Sequence, residues 1–384
     1  MKKLIILGST GSIGVSTLEV VAACKNRFRV LGLTGNSNLD LLERQIQRFH
    51  PEVVVVGNAV DAARLQLKYR RKLQVLYGPA GLITAATWPG ADMLVSSLVG
   101  ALGLEPTLAA IGKGYDIALA NKEVLVMAGT IVMAKARQHK VRILPVDSEH
   151  SAIWQCLKNE PAKNVSRLIL TASGGPFWRL SRQELAKVDV ARTLAHPTWN
   201  MGRKVTIDSA TLLNKGFEVI EAHHLFGIEL SKIQIVIHPE SIVHSMVEFT
   251  DGSVIAQLAI PDMKLPIQYA LCHPDRSANE LPKLDLPKIG KLTFSKPDFT
   301  RFPCLRYAYQ AAETGSTMPA VMSAADEIAV QSFLDNKIGF SQISKVIAKV
   351  LKKHEVTAKP GLKDILSSTE WARREARKYI ARIG

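Results

Sequence analysis

The chain has little of what marks several protein classes. Its four cysteines, Cys24, Cys156, Cys272 and Cys304, lie far apart in sequence without a Cys-x-x-Cys pair. That excludes a disulfide scaffold, offers no zinc or redox motif, and suits a reducing compartment. No apolar run approaches the roughly 18 residues of a membrane span. The opening MKKLIILG gives way at Gly8 to a polar glycine loop, too soon for a signal peptide. The expectation is a cytoplasmic protein with no membrane partner. Repeats and low-complexity segments are missing. Acidic residues are the scarcer charge, 34 Asp+Glu against 49 Lys+Arg, for a net charge of +15. The excess is scattered, with mild clusters at Lys68–Lys72 and Arg373–Arg382 that read as solvated helix faces rather than a nucleic-acid stripe. Small anionic ligands are the partners this balance suits best.

What is present is an ordinary globular composition, 47% hydrophobic and 22% charged, in a chain of 384 residues, more than one core usually serves. Apolar runs of strand length alternate with helical spacing from the first residues. Strands are predicted at 3–7, 28–33, 53–56, 93–96, 116–120 and 141–146, and helices at 15–25, 39–49, 60–69, 104–112 and 124–138. That alternation implies an α/β fold, a doubly wound parallel sheet of the dinucleotide-binding type. After Asp147 the texture changes. Strand candidates at 168–171, 233–238, 242–249 and 253–258 suggest a central α+β domain with an antiparallel sheet. The stretch 272–296 is rich in Pro and charge and reads as a connector, and only helical patterns follow Cys304. The expected division is 1–147 for a nucleotide-binding domain, 148–272 for a catalytic domain, 273–298 for the connector and 299–384 for a C-terminal helical domain.

Several segments have residue types that carry chemistry. Gly8-Ser-Thr-Gly11-Ser-Ile-Gly14 sits between a strand and a helix, where the backbone can approach a pyrophosphate. It is a variant of G-x-G-x-x-G, and a merely tight turn is the alternative. The second strand ends in Thr34-Gly-Asn-Ser-Asn38, neutral and rich in donors, where an NAD site usually has Asp or Glu. NADP is favoured over NAD. Pro145-Val-Asp147-Ser-Glu149-His150 places two carboxylates at a strand end, a hard oxygen pair suited to Mg²⁺ or Mn²⁺; by spacing alone, a capped and solvated helix start is the better explanation. On a helix, Asn214, Lys215 and Glu218 share one face, as a polar site or as a surface ion pair. Thr171-Ala-Ser173-Gly-Gly-Pro176 resembles an anion-binding turn, and the segment from His196 through Trp199 to Met201 and Gly202 resembles a lid. Leu119-Ala-Asn121-Lys122-Glu123 puts a lysine at another strand end, or begins a helix.

Taken together, GSTGSIG at 8–14, LANKE at 119–123, PVDSEH at 145–150, TASGGPF at 171–177, HPTWNMGRKVTIDSATLLNKGFEVIEA at 196–222, IHPESIVHSMVEFTDGSVIAQL at 237–258 and PDMKLPIQYA at 261–270 closely resemble the 1-deoxy-D-xylulose-5-phosphate reductoisomerase family. The resemblance runs in order from residue 1 to about residue 340. It implies three structural parts, a homodimer, and NADPH-dependent conversion of 1-deoxy-D-xylulose 5-phosphate to 2-C-methyl-D-erythritol 4-phosphate with Mg²⁺, Mn²⁺ or Co²⁺. By resemblance the metal ligands fall on Asp147, Glu149 and Glu218, and the phosphate ligands on Ser173, Ser209, Asn214 and Lys215. Ser148 also contacts substrate, and His196, Trp199 and Met201 belong to the closing flap, with Gly202 beside the cofactor. Lys122 faces substrate and metal, and Asn121 and Glu123 the cofactor. Thr10, Gly11, Ser12 and Ile13 hold the pyrophosphate, and Gly35, Asn36, Ser37 and Asn38 the ribose end. Some family members carry Lys or Arg where this chain has Ser37, which weakens the charge argument for NADP.

The catalytic candidates are Glu149 as acid or base, with Lys122 and His196. One rival is an NADP-linked dehydrogenase of the same type of fold, such as a semialdehyde or homoserine dehydrogenase, which has no use for three metal-binding carboxylates. The other is a basic module that binds NADP or nucleic acid without turnover, for which salt-sensitive duplex binding is the mark.

Overall fold

The computed structural model describes residues 1–158, 160–195, 199 and 201–383, with only the backbone of Arg71. The chain packs into two compact units. The first comprises Met1–Val124, Val132–Ser151 and Asp262–Leu281; the second comprises Leu125–Ile131, Ala152–Pro261 and Pro282–Gly384.

The elements run β1 (Lys2–Leu7), α1 (Ser12–Ala23), β2 (Phe28–Thr34), α2 (Leu39–Phe49), β3 (Val53–Val56), α3 (Ala59–Tyr69), β4 (Gln74–Tyr77), α4 (Gly78–Ala86), β5 (Met93–Ser96), α5 (Leu104–Gly112), β6 (Asp116–Leu119), α6 (Glu123–His139) and β7 (Ile143–Pro145). All seven strands pair in parallel, in the order β4-β3-β2-β1-β5-β6-β7. The central strands are covered on both faces, and Leu4–Leu7 are wholly buried, which is why they read as unbroken apolar runs. Strand order reverses between β1 and β5, so the loops leaving β1, β5, β6 and β7 open at a crevice where such sheets bind ligands.

Two elements of the α/β alternation escaped the sequence reading. β4 lies at the sheet edge with Gln74 and Tyr77 exposed, so it need not be apolar on both faces. α4 contains Gly78, Pro79 and Gly81, which mask its helical spacing. Residues 262–281, which sequence alone groups with the central domain and connector, also belong to the first unit. Their helix packs on α1: Lys264 pairs with Glu19 at 3.0 Å, Arg27 with Asp275 at 2.7 Å, and Lys2 donates to the Leu271 carbonyl at 2.6 Å.

After α7 (Ser148–Leu157) the second unit contains β8 (Val165–Ala172), α8 (Arg182–Leu185), α9 (Val190–Leu194), α10 (Arg203–Ala210), α11 (Leu213–Phe226), β9 (Ile233–Ile237), β10 (Val243–Phe249) and β11 (Val254–Leu258). The helix at 262–281 is α12 (Lys264–Cys272); α13 (Leu286–Ile289), α14 (Pro303–Thr314), α15 (Met318–Leu334), α16 (Phe340–Lys353) and α17 (Leu362–Ile383) complete the chain. The sheet order is β11-β10-β8-β9, and β8 runs parallel to β9 while the other pairs are antiparallel. The expected antiparallel sheet is therefore mixed, because four helices separate β8 from β9 and return the chain by a crossover. α15 is buried nearly all round at the centre of the helical layer. α11 packs so closely on α14 that a Cβ on Gly216 would stand 2.4 Å from that of Ala308.

Candidate active site

In the first unit the loop after β1 turns at Gly8, whose φ is +81° and where a Cβ would meet the Ser97 carbonyl at 2.7 Å. The helix starts at Ser12, three residues before its predicted start, so Gly14 lies in its first turn. A Cβ on Gly14 would stand 2.2 Å from the Gly8 carbonyl, so only glycine allows this approach. Gly11 caps α1 without a side-chain acceptor, leaving first-turn amides of an exposed loop to meet an anion. Buried Ser9 ties the loop to the end of β2: its hydroxyl hydrogen-bonds the Thr34 carbonyl at 3.1 Å and Gln45 Oε1 at 2.8 Å. Gly35 abuts Thr10, with a virtual Cβ 3.0 Å from the threonine methyl. The segment from Thr10 to Ile13 and that from Gly35 to Asn38 are therefore one surface. Asn36, Ser37 and Asn38 are exposed, and Asn38 Oδ1 already accepts from the Leu41 amide, which leaves its NH₂ as a donor. This cradle fits a dinucleotide.

At the ends of β6 and β7 the expected groups converge. Lys122 and Asp147 are largely buried, and their Nζ and Oδ2 lie 2.5 Å apart. Ser148 donates to Glu149 Oε2 at 2.7 Å. The plain helix-cap alternative does not account for a lysine buried against Asp147. Carboxylates of this kind, leaving one strand end, suit a hard divalent cation. His150, which the sequence reading did not select, is fully buried with Nδ1 3.8 Å from Asp147 Oδ2; the only sequence signal was its place in PVDSEH. Asn121 has a structural role: its NH₂ donates to the carbonyls of Leu98 and Gly100, and its Oδ1 accepts from the Val124 amide. Glu123 is buried at the start of α6.

In the second unit the turn after β8 uses two left-handed glycines, Gly174 (φ +85°) and Gly175 (φ +64°). A Cβ on Gly175 would meet the Ser209 carbonyl at 2.7 Å, so this contact fixes Ser173 beside the end of α10. Leu212, at φ +60°, turns the chain from α10 into α11. Asn214 and Lys215 occupy the first turn of α11, where helix amides and dipole favour an anion. Glu218 is 1% exposed, receiving Asn214 Nδ2 at 2.6 Å and Lys215 Nζ at 2.5 Å. That burial rules out the surface ion-pair alternative. Trp199 lies over His244, with ring centroids 6.2 Å apart; Met201 is half-buried and exposed Gly202 caps α10. His196 lies outside the described residues. Sequence reading also passed over Ser241, which is buried at φ +53° with no hydrogen-bond partner for its hydroxyl among the described residues. A positive φ at serine leaves no sequence trace. His224, set aside for want of ligand spacing, is pushed down to about 4 by burial, its ring against Gly129.

Comparison with known proteins identifies the family. Residues 4–129 match the family profile described as 1-deoxy-D-xylulose 5-phosphate reductoisomerase, residues 143–226 its C-terminal domain, and residues 258–375 the DXP reductoisomerase C-terminal domain. The 1-deoxy-D-xylulose 5-phosphate reductoisomerase of Chlorobium phaeobacteroides is 52% identical over all of both chains. That of Caldanaerobacter subterraneus subsp. tengcongensis is 54% identical over 99% of this chain and 100% of its own. The solved Zymomonas mobilis enzyme in complex with NADPH superposes with a TM-score of 0.92 at 41% identity, covering 99% of each chain. A DOX-P reductoisomerase structure with NADPH, fosmidomycin and magnesium gives 0.93 at 41%, covering 100% and 99%. The chain belongs to the 1-deoxy-D-xylulose 5-phosphate reductoisomerase family.

Proposed function

We propose that this protein converts 1-deoxy-D-xylulose 5-phosphate to 2-C-methyl-D-erythritol 4-phosphate, consuming NADPH and requiring a divalent metal ion. The observation that carries the reading is the grip of the second unit, where the turn of half-buried Ser173 packs through Gly175 against half-buried Ser209, and half-buried Asn214 and buried Lys215 start α11, a helix N-terminus suited to a phosphate. The first unit holds NADPH, with Thr10–Ile13 on its pyrophosphate and the donors of Asn36–Asn38 on its ribose end.

Asp147, Glu149 and Glu218 hold Mg²⁺, Mn²⁺ or Co²⁺, which when bound supplies polarisation of the substrate's ketone and acidity of its neighbouring hydroxyl. The chain's own residues do the rest. Lys122, held against Asp147, keeps one ligand oriented and offers a proton donor to substrate oxygen. Lys215 and Asn214 hold Glu218 in a single rotamer. Ser148 donates to Glu149, the acid or base for the substrate hydroxyl proton. Skeletal rearrangement yields a branched aldehyde, and NADPH delivers hydride to it. Trp199, with His196 and Met201, closes over the reacting fragments and excludes water, and the phosphate grip supplies remote binding energy for closure.

The test is NADPH oxidation by the purified protein with substrate and Mg²⁺ or Mn²⁺. Oxidation that needs both substrate and metal, and stops with chelator, is expected; a folded protein that binds NADPH yet never oxidises it would sink the reading. We also propose a homodimer, since β11 is a sheet edge with Val254 and Ile255 about half exposed. Light scattering should then read twice 42.1 kDa, and a monomer mass at micromolar concentration rejects it. The free thiols suit a cytoplasmic setting, which recovery of the protein in an oxidising compartment would contradict.

A further inference from the structure

The second unit contains a cavity of about 270 Å³ that the reaction does not use. Its rim carries three cations, Arg179, Lys296 and Arg301, against one carboxylate, Asp298. Asp298 and Arg301 neutralise each other: the carboxylate accepts from Arg301 Nε at 2.7 Å and from the amides of Thr300 and Arg301, both at 2.9 Å, and Arg301 Nη1 donates to the Leu180 carbonyl at 2.9 Å, so Arg179 and Lys296 carry the rim's net positive charge. The head of Arg179 sits over the Trp178 ring, 4.5 Å from its centroid, and Lys296 is exposed at the mouth. The floor is apolar, formed by Leu212, Ile237 and Phe302, all buried. Between rim and floor lies Ser295, whose buried hydroxyl has no hydrogen-bond partner among the described residues. A positive rim, an unsatisfied hydroxyl and an apolar floor match a small organic anion with an apolar body, near the lower size limit of ligand pockets.

We infer that this cavity is a second binding site, for a small organic phosphate or carboxylate with an apolar body. Its walls are the backs of the two segments that carry the phosphate grip. Trp178 packs on Gly174, where a Cβ would lie 2.7 Å from the indole Cγ, and Gly174 follows Ser173. Leu212 is the left-handed joint between α10, which ends beside Ser209, and α11, which begins with Asn214 and Lys215. An occupant that shifts either wall changes the grip on substrate phosphate. That coupling, unlike the binding itself, rests on the function proposed above.

The experiment titrates phenyl phosphate into the protein by calorimetry. Inorganic phosphate and phenol serve as head-only and body-only probes, and the titration is repeated with the grip filled by 1-deoxy-D-xylulose 5-phosphate in the absence of NADPH. Two sites are expected in the free protein, one of which persists when the grip is filled. Arg179→Ala/Lys296→Ala should weaken the persistent site about tenfold, since both heads are exposed and screened. Ser295→Phe, which fills the cavity, should remove it, with thermal midpoints confirming that both variants fold. A single phenyl phosphate site, displaced by substrate and untouched by either variant, overturns the inference. Should the protein fail to bind substrate at all, the two variants still report on the cavity, so the failure of one reading is distinct from that of the other.

Discussion

Glu218 and Lys215 offer the sharpest test of how the grip is built. Their ion pair is 2.5 Å long, and the two residues are 1% and 5% exposed. Glu218→Gln removes the counter-charge of the buried Lys215 ammonium, and Lys215→Met removes that of the buried carboxylate, which keeps its hydrogen bond from Asn214. Breaking a buried pair from one side costs about 3–5 kcal/mol, whereas removing both charges together is often close to neutral. The double variant Lys215→Met/Glu218→Gln should therefore be more stable than either single one. The coupling energy of the cycle should be about 3 kcal/mol or more. The assay is urea unfolding followed by tryptophan fluorescence, which reports mostly on the second unit because Trp154, Trp178, Trp199 and Trp371 all lie there. Turnover should vanish in all three variants, while NADPH affinity, set in the first unit, stays within about twofold of the parent. Additive single effects, with coupling below about 0.5 kcal/mol, would mean that the pair behaves as a solvated i,i+3 bridge and that Glu218 is not held in place by Lys215.

Three further outcomes follow from the same geometry. Gly8→Ala forces a side chain into φ +81° and onto the Ser97 carbonyl; NADPH affinity measured by fluorescence should fall about tenfold or more, and an unchanged affinity would refute the assignment of that loop. Gly175→Ala pushes the Ser173 turn off Ser209, so KM for the phosphorylated substrate should rise about tenfold or more with NADPH affinity unaffected; a rise in the cofactor's Kd instead would argue against the phosphate role of that turn. Burial holds the His224 imidazole at about 4 against an ordinary 6.5, so the unfolded chain takes up a proton that the folded one refuses. Stability from this group is complete above pH 6.5 and is lost as pH falls towards 4, by about 3 kcal/mol in all. Urea midpoints across that window should show the loss, and His224→Gln should flatten it; an equal slope in the variant would place the proton uptake elsewhere.

The first unit was the more legible half in sequence because its order is local. The strands β1, β2, β3, β5 and β6 are buried on both faces and so appear as short apolar runs, and the glycines at 8, 11 and 14 mark one loop. β4 and α4 were not legible, since an edge strand carries polar residues and two glycines with a proline break the helical signal. In the second unit the parallel pairing of β8 with β9 and the packing of α14 on α11 join segments far apart along the chain, which spacing alone does not encode.

By itself the sequence determined the α/β alternation of the first unit, the glycine loop, and a set of motifs specific enough to carry a family resemblance. It left Asp147 and Glu149 as a helix cap or a ligand pair, and Glu218 as a surface bridge or a buried carboxylate. Tertiary structure decided the surroundings of both. Lys122 and Asp147 meet because β6 and β7 are neighbours in the sheet, and Glu218 loses water because α11 is packed under the helices that follow it. A charge's role depends on whether water or protein surrounds it, and burial is a property of the folded neighbourhood rather than of the residue or its spacing.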